Sequence, residues 1–473
     1  MLFNTIEFGI FFLVVCALYF VLPHRGQNIM LLVASYVFYG AWDYRFLSLI
    51  FISTTVDFVV GQLLYKTEEE RKRKLILVWS IVFNLGFLGF FKYFNFFSEN
   101  LQGLLGTFGI EVRPSTLNII LPVGISFYTF QSMSYTIDIY RRELKPCTRF
   151  LDFMLYVAFF PQLVAGPIER AKHLLGQVMS PRKVTSENFS EGFYLIIWGL
   201  FKKMVIADNM ALIADPIFSQ SGDFTAGQVF VGMLAFAFQI YGDFSGYTDI
   251  ARGISRILGF QLMLNFNLPY FATSPQDFWR RWHISLSTWL RDYLYIPLGG
   301  NKKGEVRTYI NLMLTMVLGG LWHGASWTFV IWGAYQGTLL CVHRLIHKYI
   351  PESHFSATAA GEFLWRWTRI GFTFCLTLYG WLIFRAASFD QLLEMTKALF
   401  AFQVSPSTVA LVAKILFYCG LLLSVQLYQH ARNNLNAVQQ SPVLLQTSFY
   451  LVCFYLIAIL GAFDAQSFIY FQF

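Results

Sequence analysis

Three stretches of the sequence hold residues whose types and spacing suit proton transfer or the binding of an anionic group. The first is Gly319-Gly-Leu-Trp-His-Gly-Ala-Ser-Trp327. His323 is the only Asp, Glu, Lys, Arg or His between Thr308 and Val342. Apolar surroundings bias an imidazole toward its neutral form, which leaves a ring nitrogen to accept a proton. An ionisable group inside a membrane segment is a functional hypothesis by default, so His323 reads as a general base. The plainer alternative is a packed helix whose histidine bonds a neighbour. Gly320 and Gly324 lie four residues apart and permit close helix approach.

The second stretch is Gln276–Asp292, read as one helix. Trp279, Trp282, Leu286, Trp289 and Leu290 then share one face, and Asp277, Arg280, His283, Ser287 and Arg291 fall in a sector on the other. Such a helix fits an interfacial anchor. It also fits a wall that receives an anionic donor, because guanidinium geometry suits phosphate. The basic turn Pro297-Leu-Gly-Gly-Asn-Lys-Lys303 follows and suits the same end. The third stretch is the uncharged aromatic tail, residues 465–473. It reads either as interfacial anchoring or as a tail tucked into the protein, where the Tyr470 hydroxyl reaches a site.

These residues must be positioned by membrane elements. The chain has 473 residues, 56% hydrophobic, 19% aromatic and 13% Asp, Glu, Lys or Arg. Soluble domains carry about 25% charged residues. Soluble globular, disordered, fibrous and disulfide-rich classes are excluded, and a polytopic membrane protein remains. At ~20 residues per span, the apolar content supplies about 11 to 13 membrane helices, some of them short or re-entrant. Helices are expected because backbone polar groups find no water in lipid. The whole chain, residues 1–473, reads as a single integral membrane domain with an interfacial motif segment over residues 271–307. The polar stretch Pro181–Glu191 reads as a loop.

The net charge of +8 reflects scattered basic loops; no nucleic-acid motif is present. The six cysteines show no CxxC and support neither a zinc site nor a disulfide framework. No metal site is expected. Met1–Leu22 lacks a positive n-region and a cleavage site, so Phe8–Leu22 reads as a retained first span. Lys66–Lys74 and Arg141–Arg149 are the basic loops of the first third of the chain. Placing them inside puts the N-terminus outside.

At this point the residues carry a resemblance. Asp277-Phe-Trp-Arg-Arg-Trp-His-Ile-Ser-Leu-Ser-Thr-Trp-Leu-Arg-Asp-Tyr-Leu-Tyr-Ile-Pro-Leu-Gly-Gly-Asn301 and Leu318-Gly-Gly-Leu-Trp-His-Gly-Ala-Ser-Trp327 resemble the bacterial membrane-bound O-acyltransferase family, in its alginate O-acetylation branch. Leu121-Pro-Val-Gly-Ile-Ser-Phe-Tyr-Thr-Phe130 and Phe160-Pro-Gln-Leu-Val-Ala-Gly-Pro-Ile-Glu-Arg170 are similar to that family as well. The resemblance implies a ring of helices around a thin core with a tunnel joining the two membrane faces. It makes His323 the essential histidine and His283 the second polar position, about 40 residues upstream. Phe468-Ile-Tyr-Phe-Gln-Phe473 resembles an aromatic C-terminal motif of related acyl-transfer systems, which suggests Tyr470 as an acyl acceptor.

The expected chemistry is O-acyl transfer, most simply O-acetyl transfer. No bound cofactor is expected. The donor substrate is a cytoplasmic thioester, either acetyl-CoA or an acyl carrier protein, whose phosphates meet Arg280, Arg281, Lys302 and Lys303. His323 deprotonates a hydroxyl, which is a weak nucleophile without an adjacent base. His283 positions the donor or stabilises developing charge. The implied location is the bacterial inner membrane. The implied partners are a periplasmic esterase-like acetyltransferase and a surface polysaccharide. A D-alanyl donor fits less well, since Pro297-Leu-Gly-Gly-Asn301 looks like the alginate branch. A glycan or lipid-intermediate flippase would use intramembrane polar residues too, but no paired inverted halves are visible. A scaffold subunit whose partner does the chemistry is a third reading.

Overall fold

The computed structural model describes residues 1–110, 117, 119–350, 358–403, 405–463 and 468–469. Among them the protein is all-α, with no strand. Five helical stretches are long and apolar enough to cross a membrane: His24–Lys66, Glu70–Thr107, Ala226–Ile257, Pro406–Arg432 and Val443–Leu460. The apolar helix Ile6–Val21 is shorter. The chain is thus a polytopic membrane protein. Its described residues group into two compact units, Met1–Phe193 with Ala251–Met263, and Tyr194–Ile250 with Leu264–Phe473.

The first unit opens with α1 (Ile6–Val21), α2 (His24–Asp43), α3 (Leu47–Lys66) and α4 (Glu70–Leu88), and later holds α5 (Ile125–Tyr140). Thr5 caps α1 by accepting from the Phe8 N–H at 3.3 Å. Polar side chains fasten these helices. Asp57 of α3, buried, accepts from Ser80 Oγ at 2.9 Å and Asn84 Nδ2 at 3.0 Å, both on α4. Lipid offers such groups no water, so bonding across helices is what makes their burial tolerable. The basic loop Lys66–Lys74 shrinks to three residues between α3 and α4. Arg73 is buried within α4, and its guanidinium donates to the carbonyls of Leu64, Thr67, Ile139 and Tyr140. It thereby satisfies the open C-terminal ends of α3 and α5.

Pro181–Glu191, expected as a loop, turns helical at Ser186, where α6 (Ser186–Leu200) begins. The reason is a reciprocal cap. Thr185 N donates to Asn188 Oδ1 at 3.0 Å, and Asn188 N donates to Thr185 Oγ1 at 3.3 Å. α6 runs without a break through a π-helical segment, Phe201–Ala207, into a further helix, Asp208–Ser219. α7 (Ala226–Ile257) has 32 residues and extends well past the uncharged window Phe224–Gly242. It tolerates acidic residues because they are paired: Asp243 with Lys203, and Asp249 with Lys202.

Five further helices complete the part of the second unit that concerns function: α8 (Pro275–Arg281), α9 (Ile284–Leu290), α10 (Glu305–His323), α11 (Trp327–Tyr349) and α12 (Ala359–Arg385). α10 and α11 cross backbone to backbone. A Cβ on Gly320 would stand 2.3 Å from the Phe329 carbonyl oxygen, and one on Gly333 2.4 Å from that of Met316. Gly324, expected to share this approach from within the helix, lies just beyond the end of α10. Gly333 of α11 takes the place expected of it.

Candidate functional site

Gln276–Asp292 is not one helix. It breaks into α8 and α9, seven residues each, with His283 between them at a left-handed φ of +43°. A non-glycine residue in that region costs of order 1–3 kcal/mol and persists only where its surroundings over-determine it. Here they do. The Asn265 carbonyl accepts from Ile284 N at 3.0 Å, and Asn267 N donates to the Arg281 carbonyl at 2.9 Å. The segment 265–267 therefore clamps both sides of the break.

The break separates the expected polar face. Arg280, Ser287 and Arg291 stay together and line one cavity with Gln276, whereas Asp277 turns to Arg281 and His283 turns into the core and is fully buried. Trp279, Trp282, Leu286, Trp289 and Leu290 are all buried against protein. They form an interior face and not an interfacial anchor.

Asn265 also sets the chemistry of His283. Its Oδ1 accepts from Ser285 N at 3.2 Å and Ser285 Oγ at 3.0 Å, and faces His283 Nδ1 at 3.2 Å. A backbone N–H can only donate, so the amide orientation is fixed and Nδ1 must carry the proton. Nε2 then holds a lone pair. His283 sits between two short helices, outside the membrane-spanning segments, and burial pushes its pKa down to about 3. The ring is neutral and its Nε2 accepts. It suits binding or deprotonating a hydroxyl, and does not suit donation to an oxyanion. Replacing Asn265 with Ala leaves these buried donors unmet, at about 1–3 kcal/mol. We expect a lower melting temperature and a tenfold or greater loss of turnover. Asn265→Asp, which keeps an accepting oxygen, should restore most of the turnover. Equal activity in Asn265→Ala and the parent would refute the positioning role.

His323 ends α10 and is buried. Its ring meets Trp322 and Trp332, each at 5.1 Å, and Phe384 at 5.3 Å, all edge-on. The glycine crossing of α10 and α11 brings Trp332 there. Trp322 also meets His283 edge-on at 6.0 Å. The two imidazoles thus flank one indole in an aromatic enclosure.

The C-terminal residues Phe468 and Ile469 are each 1% exposed. Phe468 packs on Tyr247 at 5.1 Å and Phe244 at 5.9 Å, and Phe244 packs on His283 at 4.6 Å. Ile469 N donates to Asp243 Oδ2 at 2.7 Å. The tail is tucked into the protein at these two residues. Tyr470 lies outside the described residues.

A cavity of about 840 Å³ lies between α8, α9, α10 and α11. Arg280, Arg291, Arg344 and Lys348 line it, with His343 and His347, against the single carboxylate of Glu305. Its inner wall includes Trp279, whose ring meets Trp332 at 5.8 Å; Trp332 in turn touches His323. Met316 on the same wall precedes His323 by seven residues, about 10 Å along the helix. Among the four cations expected to meet a donor, Arg280 is on this wall. Arg281 turns to Asp277 at 2.8 Å, and Lys302 and Lys303 are exposed on the next turn, off the wall.

Sequence reasoning missed Asn265, Asp243, Lys203 and Arg344. Asn265 and Asp243 are polar residues in apolar runs, a usable signal. Arg344 and Lys348 carried none, since cations at a helix end are ordinary.

Comparison with known proteins matches residues 141–389 to the sequence profile of MBOAT, the membrane-bound O-acyltransferase family. The chain is 44% identical over 389 residues to the probable alginate O-acetylase AlgI of Azotobacter vinelandii, covering 81% of this chain and 75% of that protein. It is 37% identical over 431 residues to the peptidoglycan O-acetyltransferase of Helicobacter pylori, covering 84% and 80%. It is 28% identical over 293 residues to the teichoic acid D-alanyltransferase of Bacillus subtilis, covering 58% and 71%. Both histidines fall inside the matched profile, and the C-terminal tail falls outside it.

Proposed function

Because the chain belongs to the membrane-bound O-acyltransferase family and is a membrane O-acetyltransferase, we propose that it moves an acetyl group from a cytoplasmic thioester toward a cell-surface polysaccharide. The observation that carries this reading is one arrangement: two buried imidazoles flanking Trp322, with a basic cavity on one side and the buried tail on the other. The cavity takes the donor, acetyl-CoA or an acetylated carrier protein. Both are thioesters bearing phosphate, which its guanidinium groups suit.

The chemistry follows from the rings. His323 takes the proton of an attacking hydroxyl, and His283 orients that hydroxyl through its accepting Nε2. The attacking group is Tyr470. Its oxygen bonds to the thioester carbonyl carbon, the C–S bond breaks, and His323 passes the proton to the departing sulfur, which leaves as the thiol. The resulting acetyl-tyrosine ester passes its acetyl group to a hydroxyl of a periplasmic esterase-like partner or of the glycan itself. The tyrosine oxygen recovers the proton that hydroxyl gives up. The acetyl group alone crosses, so the charged donor stays in the cytosol. The protein resides in the bacterial inner membrane with its N-terminus outside.

Purified protein in lipid should consume the thioester in the presence of acceptor. Supplying acetyl-CoA and acetylated carrier protein separately identifies the donor. The double charge reversal Arg280→Glu with Arg344→Glu should raise the donor KM about tenfold or more, since each charged hydrogen bond is worth about 1.5–3 kcal/mol, while leaving kcat within a few-fold. An unchanged KM would reject the cavity as the donor site. Intact glycan transport without thioester consumption would favour a flippase.

A further inference from the structure

The π-helical segment between α6 and the helix Asp208–Ser219 places two adjacent buried lysines, Lys202 and Lys203. Lys202 pairs with Asp249. Lys203 pairs with Asp208 at 2.8 Å and Asp243 at 2.9 Å. Buried charges persist only when paired and hydrogen-bonded. The Lys203 ammonium is thus shared between two carboxylates. Asp243 directs its Oδ2 at the backbone N–H of Ile469.

The same region holds the start of the tail. Ala462 N donates to the Met204 carbonyl at 3.1 Å, and Asn209 Nδ2 donates to the Leu460 carbonyl at 2.8 Å. The C-terminal chain is therefore tied twice, at Leu460–Ala462 by the π segment and its neighbour, and at Ile469 by Asp243. Next to the second tie, Phe468 rests on Phe244, which rests on His283. π segments recur at functional sites because they re-aim side chains that a regular helix would turn elsewhere.

We propose that Asp243, held by Lys203, is a positioning residue that seats the C-terminal tail beside the histidines. A backbone N–H is the group it grips, so the contact fixes the path of the chain whatever side chain sits at that position. The catalytic consequence rests on the reading of Tyr470 as the acyl acceptor; the mooring itself does not.

Two full-length variants test this from opposite sides. Asp243→Ala removes the acceptor. Ile469→Pro removes the donor N–H and leaves the Asp243–Lys203 pair intact. Asp243→Asn is the conservative control, because an amide oxygen still accepts. The first readout is carboxypeptidase trimming of the C-terminus, followed by mass spectrometry in lipid nanodiscs. The parent tail should resist. Asp243→Ala and Ile469→Pro should be trimmed about tenfold faster or more, and Asp243→Asn should remain close to the parent. The second readout is acetyl transfer: kcat should fall about tenfold or more in the two disruptive variants, with donor KM unchanged.

If Ile469→Pro is trimmed no faster than the parent, the mooring is overturned, whatever happens to Asp243→Ala. If activity falls only in proportion to lost melting temperature while the tail stays protected, Asp243 is a structural brace and the proposal fails. If the tail is released but transfer continues at the parent rate, the mooring stands and the acyl-tyrosine reading falls.

Discussion

His323→Ala should lower acetyl transfer by about 10²- to 10⁴-fold, the range expected when a positioned general base is lost. The loss should appear in kcat. The imidazole lies beyond Trp279 and Trp332 from the basic cavity, so a donor bound in that cavity should keep its affinity. Measuring thioester consumption, acceptor acetylation and donor affinity on the same preparation separates these terms. His323 is packed on three aromatic rings, so truncation opens space, and a melting curve is needed alongside. His323→Gln keeps more of the volume and removes the base; it should be as inactive as the alanine variant. A parent-like rate in either would end the general-base role. His283→Ala provides the contrast. Should it abolish transfer while His323→Ala retains it, the two rings exchange roles, because the accepting Nε2 of His283 is itself competent to take a proton.

Tyr470→Phe should remove the covalent step. Loss of a nucleophile usually costs on the order of 10³-fold or more. Acid-quenched parent protein exposed to donor should yield a C-terminal peptide carrying one added acetyl group, and Tyr470→Phe should yield none. The aromatic ring is kept, so burial of Phe468 and Ile469 should be unaffected, and carboxypeptidase resistance checks that. Unaltered transfer in Tyr470→Phe would reject the covalent intermediate and leave direct transfer from the thioester to the final hydroxyl.

His323 was legible because it stands alone among apolar residues, and that isolation is a property of the one-dimensional pattern. The buried aromatic face of residues 276–292 was legible too, since helical periodicity survives the break well enough to keep its tryptophans inside. The break itself was not legible. It depends on Asn265, 18 residues upstream, meeting His283 and Ser285, and no local propensity reports such a meeting. For the same reason the placement of His283 differs from the expected one. A continuous helix would place it on the polar face beside Arg280, whereas the left-handed turn buries it with one nitrogen committed to Asn265.

Charge was the poorest guide. Lys302 and Lys303 look like phosphate ligands by composition, yet Arg344 and Lys348, more than 40 residues further on, complete the cavity wall with Arg280. Lys203 and Asp243 look unfavourable in apolar runs taken singly, and become tolerable only as partners.

By itself the sequence determined the class of solvent, the all-helical architecture, the family and the histidine that stands alone, because each follows from composition, period or a contiguous motif. Tertiary structure decided which nitrogen of His283 faces Asn265, which cations share a cavity and how the tail is tied. Those are outcomes of long-range pairing, in which a buried polar group acquires its protonation and direction only from the partner that folding brings to it.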